Sequence, residues 1–137
     1  MGIEPGIYQI KNHASWTVLD ESTDGQHIIH GWKQTNAPNQ HWDVQHAEGG
    51  AYTVKNIASG LFLHTEGPYD GSKLVASPTI STWYLDQPNN AEVYIIFPGS
   101  NRVADLDNGN VADGTAIHLW ERHSDGVKQQ QWYFERV

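Results

Sequence analysis

The chain has 137 residues, a formal net charge of −8 and no cysteine, which excludes disulfides, thiol nucleophiles and thiolate metal sites. A chain of this length is expected to form one domain, with a core large enough to fold without cross-links. The negative charge repels phosphate backbones, which argues against nucleic acid as a partner.

No targeting or membrane segment is evident. The residues from Met1 to Tyr8 lack a basic segment followed by an apolar run, and no apolar stretch approaches the roughly 20 residues of a membrane span. We therefore expect a cytoplasmic protein that does not insert into membranes.

Short alternating segments between Gly, Pro, Asn and Asp turns predict strands throughout, and no helical period is present. The pattern restarts twice, so that residues 6–48, 50–90 and 91–137 form three similar units of a single domain covering 1–137. The expected strands are residues 7–12, 16–19, 27–32 and 40–44, then 52–56, 61–63, 73–76 and 82–85, then 93–97, 102–106, 115–120 and 131–136. Three units that each supply four strands predict about twelve strands closing on one shared core.

Three tryptophans occupy the same place near the end of each unit, namely Trp42, Trp83 and Trp132. Large rings that recur with the repeat are expected to fill the centre of the fold. Trp16 lies outside this pattern. We expect it to pack in the ordinary way, with exposure as an oligomer contact or binding surface as the alternative.

A second recurring pattern carries polar chemistry. Ile-His-x-Trp is followed by Gln-x-Trp in residues 29–42 and again in residues 117–132, and each copy has an aspartate upstream. A sugar needs a carboxylate to accept paired hydroxyls, an aromatic face for its apolar C–H patch, and amides or imidazoles to complete the hydrogen bonds. The candidate residues are Asp20, His30, Gly31, Trp32, Asn39 and Gln40 in the first unit, and Asp105, His118, Trp120, Gln129 and Gln130 in the third.

This ordered set resembles the ricin B-chain type of β-trefoil lectin. With no cysteine, no signal peptide and the lead Pro-Gly-x-Tyr-x-Ile-x-Asn, the chain is most similar to the cytoplasmic lectins of fungi. The resemblance spans nearly the whole chain. It implies an all-β trefoil fold and binding of terminal galactose or N-acetylgalactosamine on glycoproteins or glycolipids. It also implies a role in defence, with two sites or a homodimer acting together to strengthen weak binding.

The resemblance also implies roles for the candidate residues. The aspartates accept the paired hydroxyls, Trp32 and Trp120 stack on the sugar, and Gln40 and Gln130 hold the aspartates in place. Asn39 and Gln129 are polar partners, and Gln129 departs from the usual Asn by one methylene.

The second unit departs furthest from the pattern. His64 replaces the aspartate, Pro78 interrupts the place of the stacking Trp, and Ser81-Thr82-Trp83 replaces Gln-x-Trp. We expect no galactose binding there.

Several alternatives compete with the lectin hypothesis. Each Asp could simply cap its own turn. His27 and His30 point to opposite faces of a strand. The Asp105–Asn110 segment has its Gly at the wrong offset for a calcium loop and no closing Glu, so no metal or other cofactor is expected. Without a nucleophile motif or paired carboxylates within one unit, we expect no enzyme. A β-trefoil protease inhibitor acting through exposed loops is the alternative function.

Overall fold

Residues 2–137 are described by a computed structural model and form short strands, as their alternating sequence predicts. In the first strand, for example, Tyr8, Ile10 and Asn12 are buried while their neighbours are more exposed. The strands are β1 (Gly6–Asn12), β2 (Val18–Glu21), β3 (Ile29–Trp32), β4 (Trp42–His46), β5 (Tyr52–Asn56), β6 (Phe62–Thr65), β7 (Leu74–Ser77), β8 (Tyr84–Asp86), β9 (Tyr94–Ile96), β10 (Arg102–Leu106), β11 (Thr115–Glu121) and β12 (Trp132–Arg136).

Six of the strands close into a barrel. Antiparallel ladders join β12 to β1, β1 to β4, β4 to β5, and β8 to β9. Two further bridges, Tyr52 with Trp83 and Val93 with Trp132, complete the ring. The closed ring places one face of every barrel strand against a common interior.

The other six strands form three hairpins, β2–β3, β6–β7 and β10–β11. The hairpins also contact one another in a ring, through bridges between Thr115 and Gly31, Ile28 and Val75, and Lys73 and His118. A six-stranded barrel with a triangular array of three hairpins is a β-trefoil, so the predicted fold class is confirmed.

The three recurring tryptophans lie at the centre of this arrangement. Trp42, Trp83 and Trp132 are each 0% exposed. Each indole N–H donates to a backbone carbonyl at 3.0 Å, on Leu19, Leu63 and Ala104 respectively. The expectation that these rings fill a shared core is confirmed.

Local details differ from the sequence prediction. Residues 38–40 and 128–130 form single turns of 3₁₀ helix before the last strand of their units, so Gln40 does not begin a strand as predicted. Trp16 has a φ of +63° and lies in a turn rather than in β2. It is 58% exposed, so the expectation of ordinary packing is wrong.

Among residues 2–137, no helix has the length and apolar character that a membrane crossing requires.

Replacing Trp83 by Ala should lower the free energy of unfolding by about 3–5 kcal/mol, because it removes a fully buried ring and leaves the Leu63 carbonyl without a donor. Urea unfolding followed by circular dichroism measures the loss. Tyr84→Ala is the control, since Tyr84 is adjacent and 41% exposed. Equal destabilisation by the two substitutions would contradict the assignment of Trp83 to the core.

Candidate functional site

The hairpins of the first and third units present the same trio of side chains. Asp20 on β2 lies directly across from His30 on β3, and Asp105 on β10 lies across from His118 on β11. Side chains two residues apart on a strand share a face. The tryptophan two positions after each histidine therefore joins the aspartate and histidine on one surface.

In the first unit, hydrogen bonds from three side chains orient the buried Asp20 carboxylate. Its Oδ1 is 2.8 Å from Nε2 of His30, and its Oδ2 accepts from Nδ2 of Asn39 at 3.1 Å and from Nε2 of Gln40 at 2.9 Å. Asp20 is 4% exposed, so these bonds compensate for most of the hydration that its carboxylate has lost. The carboxylate is an oriented acceptor that lines a cleft on the surface of the first unit, called the first cleft below.

Gln40 fixes this acceptor from behind. The Gln40 side chain is fully buried. Besides its bond to Asp20, Nε2 donates to the Lys33 carbonyl at 2.9 Å, and Oε1 accepts from the Thr35 backbone N–H at 2.8 Å. The amide thus ties the loop after β3 to the carboxylate.

The third unit repeats the clamp. Nε2 of Gln130 donates at 2.9 Å both to Oδ2 of Asp105 and to the Glu121 carbonyl, and its Oε1 accepts from the His123 backbone N–H at 3.0 Å. His118 is more distant from the carboxylate than His30 is in the first unit, with 3.4 Å between Nε2 and Oδ1 of Asp105. Asp105 lines a cleft of the third unit, called the third cleft below. The two clefts share the bond between glutamine and aspartate and differ in the distance between histidine and aspartate.

The amide partner is where the clefts diverge most. Asn39 donates both to Asp20 and, at 3.1 Å, to the Glu21 carbonyl, so its side chain is fixed before any ligand arrives. Within residues 2–137, the longer Gln129 makes no such hydrogen bond to Asp105, although it does line the third cleft. The third cleft is therefore less preorganised at this position.

Each cleft has an aromatic wall. The rings of His30 and Trp32 have centroids 5.2 Å apart, and those of His118 and Trp120 are 5.7 Å apart. Trp120 is 40% exposed, so its indole is accessible to a ligand. The clefts are shallow, with volumes of about 360 Å³ in the first unit and about 280 Å³ in the third.

Gly31 lies behind the first cleft rather than on its wall. It is buried in β3, where a Cβ would lie 2.8 Å from Cδ1 of Leu106 and 3.1 Å from Oγ1 of Thr17. The structure therefore gives this predicted site residue a packing role between hairpins.

Sequence analysis missed several residues that line the clefts. They come from the turns after each aspartate and from the loops that follow β3 and β11, and they are Ser22, Thr23, Asp24 and Thr35 in the first cleft and Asp107, Asn108 and His123 in the third. Their position just downstream of the aspartate is the signal that could have identified them.

Asp24 adds a fixed negative charge to the first cleft. The backbone N–H of Gln26 and then the Ser22 hydroxyl hydrogen-bond its carboxylate and lower its pKa below the usual value. The cleft is therefore rich in acceptors, which suits a ligand that offers hydroxyl groups.

The second unit lacks the same constellation. His64 pairs with Val75 where the other units pair aspartate with histidine. The strand register places Ser77, and not Pro78 as the sequence suggested, at the position of the tryptophan. Nδ1 of His64 is buried and has no hydrogen-bond partner among residues 2–137. This hairpin therefore has neither the carboxylate nor the aromatic wall that the other two present.

No group of three or more His, Asp or Glu side chains that could hold a metal ion is present in the described part of the chain. What the clefts offer is an oriented carboxylate, an amide, an imidazole and an indole face. Such a set can accept hydroxyl hydrogens while an aromatic ring covers an apolar patch, which is the chemistry of polyol recognition.

Known proteins share both the sequence pattern and the fold. The model of the family described as ricin-type beta-trefoil lectin domain-like matches residues 2–77 and 38–120. A comparison with curated protein sequences found no match.

Among solved structures, a ricin B-like lectin of Macrolepiota procera in complex with lactose has a TM-score of 0.90 and 31% sequence identity, with 100% of each chain covered. The Rhizoctonia solani agglutinin has a TM-score of 0.89 and 23% identity, covering 100% of this chain and 99% of that one. A designed threefold symmetric protein, ThreeFoil, has a TM-score of 0.88 and 20% identity, covering 96% and 99%. On the strength of the family model and of the full-length match at 31% identity, this chain belongs to the ricin-type β-trefoil lectin domain family.

Proposed function

We propose that the protein binds glycans ending in galactose or N-acetylgalactosamine through the clefts of the first and third units. The observation that carries this proposal is the buried aspartate held by a glutamine beside an indole face, present twice with the same hydrogen bonds. A purely structural aspartate would need no aromatic wall opening to solvent beside it.

Galactose fits this arrangement for a geometric reason. Its axial C4 hydroxyl leaves one face of the ring apolar, and that face can lie on the indole of Trp32 or Trp120. The hydroxyls at C3 and C4 then point together toward the carboxylate of Asp20 or Asp105. An equatorial C4 hydroxyl would present a different hydroxyl pair to the same carboxylate.

The comparisons support this choice of sugar. The Macrolepiota procera lectin, which matches along its full length at 31% identity, was solved in complex with lactose, a disaccharide that ends in galactose. Membership of a lectin domain family also points to binding rather than catalysis.

A shallow cleft with a few hydrogen bonds and one stacked ring should bind a monosaccharide with a Kd on the order of 1 mM. Two clefts on one molecule, or on a homodimer, raise the effective affinity for a surface that carries many glycans. Such a surface fits the proposed role in defence, in which the protein binds gut glycans of animals that feed on the producing organism. No feature of the described residues favours protease inhibition over this proposal.

The double substitution Asp20→Ala with Asp105→Ala should abolish lactose binding, because each cleft loses the acceptor of the paired hydroxyls. Each single substitution should remove one of two binding sites. Isothermal titration with lactose measures both effects, and circular dichroism checks the fold. Unchanged lactose binding by the folded double variant would contradict the assignment of these two aspartates as the acceptors of the sugar hydroxyls.

Trp32→Ala with Trp120→Ala tests the same clefts without disturbing the buried carboxylates, and it should also abolish binding. Tyr84→Ala serves as the matched control, because Tyr84 and Trp120 are almost equally exposed, at 41% and 40%. If the control lost as much affinity as the tryptophan variant, the effect could not be assigned to stacking.

The first cleft should bind galactose more tightly than the third, since Asn39 is already fixed and the longer Gln129 must be ordered on binding. Asn39→Gln should therefore weaken the first cleft, and Gln129→Asn should strengthen the third, each by about threefold to tenfold. Titrations in backgrounds with one functional cleft, Asp105→Ala and Asp20→Ala respectively, isolate these effects. Opposite signs would mean that the freer carboxylate of Asp105 matters more than a fixed amide.

A further inference from the structure

The turn between β1 and β2 holds an exposed tryptophan in a backbone conformation that favours glycine. Trp16 has a φ of +63°, in the left-handed region that bulky side chains rarely adopt. The equivalent residue of the second unit, 44 positions later, is Gly60, with a φ of +74°. The two turns close alike, by N–H donation from Trp16 to Asn12 and from Gly60 to Asn56.

The turn itself therefore does not need an indole. The backbone of Trp16 is in a disfavoured conformation, and its side chain is more than half exposed, so core packing does little to offset the strain. Strain of this kind is typical of residues whose side chain makes contact with a ligand or partner.

The ring of Trp16 is held in place by a tyrosine of the last strand. It stacks on Tyr133 of β12, with centroids 5.6 Å apart and an angle of 12° between the ring planes. His13 supports Tyr133 edge-on at 5.0 Å. Burial, and then the neighbouring Glu92, raise the pKa of Tyr133 above its usual value. The result is a fixed aromatic surface.

Charged side chains of both signs lie around this aromatic surface. The Lys11 ammonium lies 5.7 Å from the centroid of the Trp16 ring and 3.5 Å from a carboxylate oxygen of Glu135. His13 lies 3.9 Å from Glu92. An aromatic face ringed by donors and acceptors matches a sugar residue, which has apolar C–H patches between hydroxyls.

A second copy of the chain fits this surface less well. Two molecules with a net charge of −8 repel each other, and a stable interface needs about 800 Å² from each partner. Here one indole is surrounded by charged side chains that such an interface would have to bury.

The turn that carries Trp16 borders the cleft of the third unit. Nδ2 of Asn12 donates to the Gln129 carbonyl at 3.0 Å. A Cβ built at Gly109 would lie 3.0 Å from Cβ of Ala14 and 3.6 Å from Cβ of Gln129. Gln129 lines the cleft, so a glycan whose end occupies the cleft can continue toward this turn.

We propose that Trp16, backed by Tyr133, is a stacking platform for a sugar residue beyond the terminal disaccharide of a glycan whose terminal galactose occupies the third cleft. This inference rests on the proposed function of that cleft. It makes the third cleft selective for extended glycans, and it gives the first cleft no such extension, because the equivalent neighbour there is Gly60.

The test uses the Asp20→Ala background, in which only the third cleft can bind. The ligands are N-acetyllactosamine and lacto-N-neotetraose, which ends in the same disaccharide and extends it by lactose. With Trp16 present, the tetrasaccharide should bind about tenfold more tightly than the disaccharide. Trp16→Gly should abolish that gain and leave disaccharide affinity unchanged.

Trp16→Gly is the informative variant because Gly60 already adopts this backbone in the equivalent turn. The control places Trp16→Gly in the Asp105→Ala background, where only the first cleft binds and neither affinity should change. If Trp16 were merely structural, the substitution would lower the Tm and weaken both ligands equally.

The possible outcomes separate the two proposals. Disaccharide binding without a gain for the tetrasaccharide, or a gain that survives Trp16→Gly, overturns the platform and leaves the lectin function standing. A change of oligomeric state on Trp16→Gly in sedimentation, with unchanged glycan affinities, also overturns it in favour of a second copy. Absence of binding by either ligand to either background overturns both proposals.

Discussion

The hydrogen bond from each central indole to a backbone carbonyl connects the core of this protein to its clefts. The acceptors are the carbonyls of Leu19, Leu63 and Ala104, each one residue before the position that holds Asp20, His64 or Asp105. In the first and third units, a glutamine two residues before the tryptophan then bonds the aspartate itself. Core packing thus sets the backbone position of the carboxylate, and the glutamine sets its orientation.

Because the tryptophan positions the backbone and the glutamine orients the carboxylate, the second unit can lose the cleft and keep the fold. Trp83 retains its burial and its bond to the Leu63 carbonyl, so its part of the core is intact. The aspartate and glutamine positions hold His64 and Ser81, which lie outside the hydrophobic core cluster. A cleft in this fold can disappear from one unit without cost to the packing on which the other two depend.

Sequence patterns were sufficient to predict the fold because repetition and alternation both follow from the packing. Each unit must bury one ring and one face of each strand, so Trp42, Trp83 and Trp132 recur at matching places. The pairing of Asp20 with Gln40 was expected from the resemblance to a family. The 3₁₀ turn before β4 was not predicted, because its three residues carry no period.

The clefts were predicted less completely than the core. Asp24 and Asn108 reach the clefts through turn conformations that residue identity alone does not determine. The exposure of Trp16 was missed because an apolar ring favours burial in general. Comparison with Gly60, which has a φ of +74° in the equivalent turn, shows that the turn adopts the left-handed backbone with or without a ring.

Pairing between β1 and β12 has a consequence for how the protein folds. Gln9 and Glu135, whose side chains are hydrogen-bonded across this pair, lie 126 positions apart in the chain. Closing so long a loop is entropically costly, and folds rich in such contacts form slowly. During synthesis the barrel stays open until β12 has emerged, and the side of β1 that pairs with β12 is until then a site for association with other chains.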